Sequence, residues 1–216
     1  MANISNYIQQ TDLYLFDKGD AQRAYYTFGC HPLPDLGEDV YIFVVWAPHA
    51  QSISVIGDFN EWNSSANPME CVHEGVWATI VEGLHDGDLY KYHIVGADGK
   101  AQVKADPFAF HAENGISTAS KVWNLDGYAW KDQAYLDTRA QCDFHKEPMN
   151  IYEFHLGSWK LPEHDAEDIP EDVDETEVVL PNYRQVADEL AAYCVKMGYT
   201  HVEPMPLTEY PLPASW

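Results

Sequence analysis

Apolar residues recur along this chain with two different periods, and the change of period divides it. From Val40 the apolar runs are short and separated by turn signals. "VYIFVVWAP" (40–48) is unbroken and ends at Pro48, and "SISVIGDFN" (52–60) follows it. In "GVWATIVEG" (75–83), Val76, Ala78 and Ile80 alternate with Trp77, Thr79 and Val81, the two-residue period of a strand. "LYKYHIVGADGK" (89–100) predicts a strand entering an Asp98-Gly99 turn, with "AQVKA" (101–105) as the return strand of a hairpin. Strands at this spacing predict a β-sandwich over residues 36–125. Residues 1–35, where Leu13, Tyr14, Leu15 and Phe16 precede Gly29, Pro32 and Pro34, read as an N-terminal extension.

After a connector over 126–148, containing Gly127, Trp130 and Pro148, a helical period appears. "MNIYEFHLG" (149–157) predicts a strand. "NYRQVADELAAYCVKMG" (182–198) predicts a helix, with Asn182 and Gln185 at capping-box spacing and Gly198 as a left-handed stop. Val186, Leu190, Tyr193, Cys194 and Met197 share one face of it. "YTHVEPM" (199–205) follows as a second strand. Strand, helix, strand with short joints predicts a right-handed βαβ unit with parallel strands. Two such strands cannot bury both faces alone, so residues 149–216 read as an incomplete second domain. On this reading the closing "HVEPMPLTEYPLPASW" (201–216) is a strand and its following loop cut short.

Composition narrows the function. An apolar content of 46% supplies a core, and 12 basic against 35 acidic residues give a formal charge of −23. That charge argues against nucleic acid and anionic membranes as partners. Nine of the fifteen residues from Glu163 to Glu177 are acidic, which reads as an exposed insertion. Met1-Ala2-Asn3 opens without a basic or apolar leader, and no run reaches membrane-spanning length. Cys30, Cys71, Cys142 and Cys194 are scattered, as suits reduced thiols and not a zinc site. A cytoplasmic protein without metal or cofactor is the expectation.

Candidate chemistry is confined to a few positions. In "GDFNEWN" (57–63), Gly57 and Asn60 permit a tight turn from which Trp62 emerges. A tryptophan face suits the apolar C–H surface of a sugar, with Asn60 and Lys91 placed to hold hydroxyls; the alternative is that Trp62 packs on a neighbouring segment. Trp77, in mid-strand, reads as core, and Trp46, Trp123 and Trp130 as packing residues. Glu153 and Glu203 fall on the two parallel strands and could face the same way, either as a glycosidase-like pair or as polar groups inside a barrel. No nucleophile elbow or phosphate-binding loop is present, so no catalytic residue is assigned.

Four stretches in combination resemble the bacterial-type 1,4-α-glucan (glycogen) branching enzymes of the α-amylase superfamily. They are "YLFDKGDAQRAYYTFGCHP" (14–32), "FVVWAPHAQSISVIGDFNEWN" (43–63), "LYKYHIVGADGKAQVKADPFAF" (89–110) and "IYEFHLGSWK" (151–160). "YRQVADELAAYCVKMGYTHVEPMPLTEYP" (183–211) fits the same pattern. The resemblance implies a mainly β chain. Its immunoglobulin-like β-sandwich would be a family 48 carbohydrate-binding module, followed by the incomplete βαβ start of a (β/α)8 catalytic barrel of glycoside hydrolase family 13. It places barrel strand one at 151–157, helix one at 183–197 and strand two at 199–205. The implied function is glycogen biosynthesis: cleavage of an α-1,4 link and transfer to a 6-hydroxyl through a covalent glycosyl intermediate. The Asp nucleophile, Glu acid/base and second Asp of that glycosyltransferase chemistry would come from strands beyond residue 216, so this chain is expected to be inactive alone. Implied partners are α-glucan (glycogen, malto-oligosaccharide) and the remainder of the barrel. "GADGKAQ" lacks the second tryptophan of comparable glycogen-binding modules, which leaves docking on the barrel as another use of the sandwich. A stand-alone glycogen-binding or regulatory module, and a trehalohydrolase or debranching-enzyme fragment, are the alternatives.

Overall fold

The unbroken run after Val40 becomes a strand covered on both faces, which explains why it lacks alternation. A computed structural model describes residues 3–113, 117–160 and 183–207. The acidic segment 163–177, the Asn182 cap and the closing residues 208–216 lie outside the described residues. The described residues divide into two compact units, one up to residue 129 and the other from residue 130.

The first unit opens with helix α1 (Gln10–Lys18) and then carries ten strands. These are β1 (Gly29–Pro32), β2 (Tyr41–Trp46), β3 (Ala50–Gly57), β4 (Asn67–Pro68), β5 (Glu70–His73), β6 (Val76–Val81), β7 (Leu89–Gly96), β8 (Ala101–Lys104), β9 (His111–Ala112) and β10 (Ser120–Lys121). One antiparallel sheet runs β1-β2-β6-β5, the other β4-β3-β7-β10-β9. Strand β8 also pairs with β7, Tyr92 opposite Lys104 and Val95 opposite Ala101, and so forms the predicted hairpin. Thus β7 shares one edge between β8 and β10, with Ser120 opposite Tyr90.

Alternation fills the space between the sheets. Tyr41, Phe43 and Val45 meet Ile53, Val55, Tyr90 and Tyr92 in one buried cluster. The other face of β2, through Ile42 and Val44, joins Val76 and Ala78 of β6 beneath Ile8, Leu13, Phe28 and Leu33. Sandwich pairing therefore begins before residue 36: β1 hydrogen-bonds along β2, with Cys30 opposite Phe43. The N-terminal residues cover the second face because an apolar strand cannot be left wet on one side.

In the second unit, β11 (Ile151–Phe154) and β12 (His201–Pro204) pair in parallel, as the βαβ pattern predicts. Helix α4 (Tyr183–Met197) joins them, burying Val186 and Cys194, and Gly198 ends it at φ +77°. Two helices were not foreseen. Strand β11 stops at Phe154, short of the expected 157, because a turn takes over: the Ser158 amide donates to the His155 carbonyl at 3.2 Å. Helix α3 (Leu156–Trp159) follows, and the Trp159 indole reaches back to donate to the Tyr152 hydroxyl at 3.0 Å. Helix α2 (Gln133–Gln141) occupies the expected connector; it buries no residue and has no apolar stripe to betray it.

Candidate functional site

The turn after β3 is built by side chains as much as by backbone. Asn60 accepts from the Gly57 amide at 2.9 Å and donates to the Val55 carbonyl at 2.9 Å and Asn67 Oδ1 at 2.6 Å. Gly57 is needed there, since a Cβ would collide with the Leu89 carbonyl oxygen and the Phe59 ring. Glu61 and Trp62 then adopt φ +55° and +58°, left-handed values that cost of order 1–3 kcal/mol each in non-glycine residues. The Trp62 amide closes the turn onto the Gly57 carbonyl at 2.9 Å.

This strain projects Trp62 outward, 39% exposed. Asp58 fixes the ring: its Oδ1 accepts from the indole Nε1 at 3.1 Å while Oδ2 accepts from the Leu89 amide at 3.1 Å. Asp58 is the orienting residue that the spacing did not single out. Lys91 stands on the neighbouring strand, opposite Ile56, and its Nζ donates to Thr118 Oγ1 at 2.8 Å. The structure places Trp62 in the turn leaving β3 and Lys91 on β7, the strand paired with β3. Asn60 is a turn brace, both amide hydrogens already committed within the protein.

Lys91 is aimed outward from within. Its strand neighbours Tyr90 and Tyr92 point inward, and both hydroxyls donate to Asp106 Oδ2, at 2.7 and 3.0 Å. The Phe108 amide donates to the other carboxylate oxygen at 2.8 Å, and the Asp106 amide donates to Ser120 Oγ at 2.9 Å. Burial pushes the Asp106 carboxyl above the usual range, against the pull of those hydrogen bonds. Burial beside Asp106 pushes both tyrosines up. The cage thus fixes β7, carrying Lys91, to the segment that leads from Thr118 to Ser120.

Three tryptophans read as packing residues are exposed instead. Trp130 is 77% exposed, and Trp123 meets His111 edge-on at 4.7 Å. Trp46, 51% exposed, ends β2 and rests edge-on against Phe16 of α1, with centroids 5.7 Å apart. Its ring borders an open groove of about 650 Å³ with Asp17, Lys18, Pro48 and Glu74. His73 hydrogen-bonds Asp17 at 2.7 Å and so ties α1 to β5 beside this groove. Trp46 projects because β2 outruns the segment that covers its outer face, which one-dimensional spacing does not reveal. Trp77, by contrast, packs against the core, its indole donating to the Ala47 carbonyl at 3.1 Å.

In the second unit Glu153 and Glu203 are opposite one another in the parallel register, and both are exposed. Tyr152, the next residue on β11, clusters with Tyr193 of α4 and with Tyr199, centroids 5.3 and 4.7 Å away. Since side chains alternate along a strand, the two glutamates lie on the face away from that cluster. Among the described residues no three His, Cys, Asp or Glu side chains gather as a metal site, and no helix is long and apolar enough to cross a membrane.

A β-sandwich with a turn-borne tryptophan defines a class, and comparison agrees. Residues 27–109 match the family described as Carbohydrate-binding module 48 (Isoamylase N-terminal domain). Across nearly its whole length the chain is similar to the N-terminal portion of 1,4-α-glucan branching enzymes. It is 40% identical over 208 residues to the branching enzyme GlgB of Protochlamydia amoebophila (strain UWE25), covering 96% of this chain and 27% of that protein. With GlgB of Bacillus caldolyticus it is 39% identical over 206 residues, covering 95% and 29%. The chain spans less than a third of the length of these curated relatives.

Solved structures share the fold at lower identity. A product complex of SpuA, a multi-modular glycogen-degrading pneumococcal virulence factor, matches with a TM-score of 0.59 and 17% identity, covering 86% of this chain and 20% of that one. A putative alpha amylase from Salmonella typhimurium matches at 0.55 and 19%, covering 86% and 25%.

Proposed function

We propose that the first unit binds α-glucan, as the non-catalytic front of a 1,4-α-glucan branching enzyme in the cytoplasmic synthesis of glycogen. The observation that carries this is Trp62. It is an exposed indole held in a left-handed backbone and pinned by Asp58, within residues that match a carbohydrate-binding family. An exposed aromatic held in a left-handed backbone by the hydrogen bonds of its turn supports a functional reading of that position. The indole face takes the C–H side of a glucose ring; Lys91 and Thr118 donate to its hydroxyls; Asn60 holds the turn. Trp46, with Asp17, Lys18 and Glu74 around it, is a second platform of the same chemistry. It ends β2, ahead of β3, whereas Trp62 lies in the turn that follows β3.

In this reading the sandwich is residues 36–125 together with the β1 and α1 segments that complete its sheet and cover it. Residues 149–216 begin the catalytic barrel. The face bearing Glu153 and Glu203, exposed among the described residues, would turn to the interior of that barrel once further strands pair at the edges of β11 and β12. Glycan holding is then this chain's own contribution, while the double displacement belongs to the enzyme as a whole. The four thiols, all unpaired, suit a reducing compartment.

Native electrophoresis through gels containing glycogen tests the assignment. The 216-residue chain should be retarded, and Trp62→Ala should release most of the retardation. Equal mobility of the wild type with and without glycogen would overturn it. The same chain should leave the iodine absorbance of amylose unchanged.

A further inference from the structure

A cavity of about 380 Å³ on the flank of α1 belongs to neither tryptophan platform. Asp12 and Leu15 of α1 form one wall, and Asp20, Gln22, Arg23 and Tyr26 are on the opposing wall. That opposing wall is preformed. The Asp20 amide donates to the Leu15 carbonyl at 2.9 Å, Gln22 to Asp20 at 2.9 Å, and Tyr26 to Arg23 at 3.0 Å. Thr27 Oγ1 lies 3.4 Å from Asp12 Oδ2 and links the two walls.

The lining chemistry selects a ligand class. Two carboxylates offer acceptors only, a guanidinium and an amide offer donors, and Tyr26 and Leu15 give apolar surface. Arg23 forms no ion pair among the described residues, although both aspartates line the same cavity. An anion would meet two carboxylates on a chain of charge −23, and a simple cation would meet Arg23. A neutral ring with hydroxyls around its rim and C–H faces satisfies every wall at once. The volume falls at the small end of ligand pockets, about 300–1,000 Å³, and suits one or two such rings.

We propose that this cavity binds a neutral mono- or disaccharide, independently of Trp62 and Trp46. The site extends the α-glucan reading from long chains to a short sugar, and stands whether or not the platforms bind. Helix α1 lines both the cavity, through Asp12 and Leu15, and the Trp46 groove, through Phe16 and Asp17.

Titration of the isotope-labelled 216-residue chain with maltose and with glucose, followed by amide NMR shifts, tests it. Saturable shifts of residues 20–28 are expected in the wild type and equally in the Trp46→Ala/Trp62→Ala variant. Arg23→Gln and Asp12→Asn should each weaken binding by about tenfold, the effect of one or two lost hydrogen bonds. Unchanged amide dispersion elsewhere would show both variants folded. Shifts that fail to saturate, or that survive unchanged in both variants, would refute the site. So would stronger response of these amides to magnesium or inorganic phosphate than to maltose. Failure of the α-glucan reading looks different, since it would silence the Trp62 and Trp46 indole signals during glycogen or maltoheptaose titration and leave residues 20–28 responsive.

Discussion

Removing the Asp106 carboxylate tests whether the buried cage, more than the surface turns, sets the stability of the sandwich. Asp106→Ala leaves the hydroxyls of Tyr90 and Tyr92, both fully buried, without their acceptor, and also orphans the Phe108 amide. Each unsatisfied buried donor costs about 1–3 kcal/mol, so the two hydroxyls together cost about 2–6 kcal/mol. Relief from burying a carboxylate offsets part of this, since burial raises its pKa. A net loss of about 3 kcal/mol is expected, measured by urea unfolding followed through near-ultraviolet circular dichroism. The triple variant Asp106→Leu/Tyr90→Phe/Tyr92→Phe should recover much of the loss, because it removes both buried hydroxyls with their acceptor and leaves only the Phe108 amide without its partner. A cost below about 0.5 kcal/mol for Asp106→Ala, or a triple variant worse than the single one, would refute the reasoning.

The same carboxyl gives a pH signature. Its folded pKa is raised, so its contribution is most favourable below the unfolded value and is lost as pH rises through the folded one. Wild-type stability should therefore rise relative to Asp106→Asn as pH falls from 7 toward the carboxylate range, and parallel curves would contradict it. Gly57→Ala should cost about 1–3 kcal/mol through the clash with Leu89 and Phe59 and should weaken glycogen retardation along with it. With a charge of −23, the thermal midpoint should rise by roughly 3–6 °C between 20 mM and 500 mM potassium chloride, as the screening length shortens. A flat response in differential scanning calorimetry would mean that the acidic groups are too dispersed to repel.

Period and punctuation determined most of the framework. The two-residue period at 75–83 predicted a strand, which packs on both faces, the Asp98-Gly99 turn predicted a hairpin, and the four-residue spacing of Val186, Leu190 and Cys194 placed a helix between parallel strands. Local rules also located Trp62, since a glycine and an asparagine before a tryptophan mark a tight turn. They could not show that Asn60 is spent inside that turn, or that Asp58 holds the indole, because hydrogen-bond partners are chosen in three dimensions. Nor could they show which tryptophans are covered. Trp77 and Trp46 lie on paired strands of similar texture, yet one packs against the core and the other faces water. That difference depends on where the N-terminal residues settle over β2, a contact between segments thirty residues apart. The Asp106 cage is of the same kind. Nothing in the order of residues pairs Asp106 with Tyr90 and Tyr92; only the packing of β7 beneath the loop after β8 brings a carboxylate to two hydroxyls where water cannot reach.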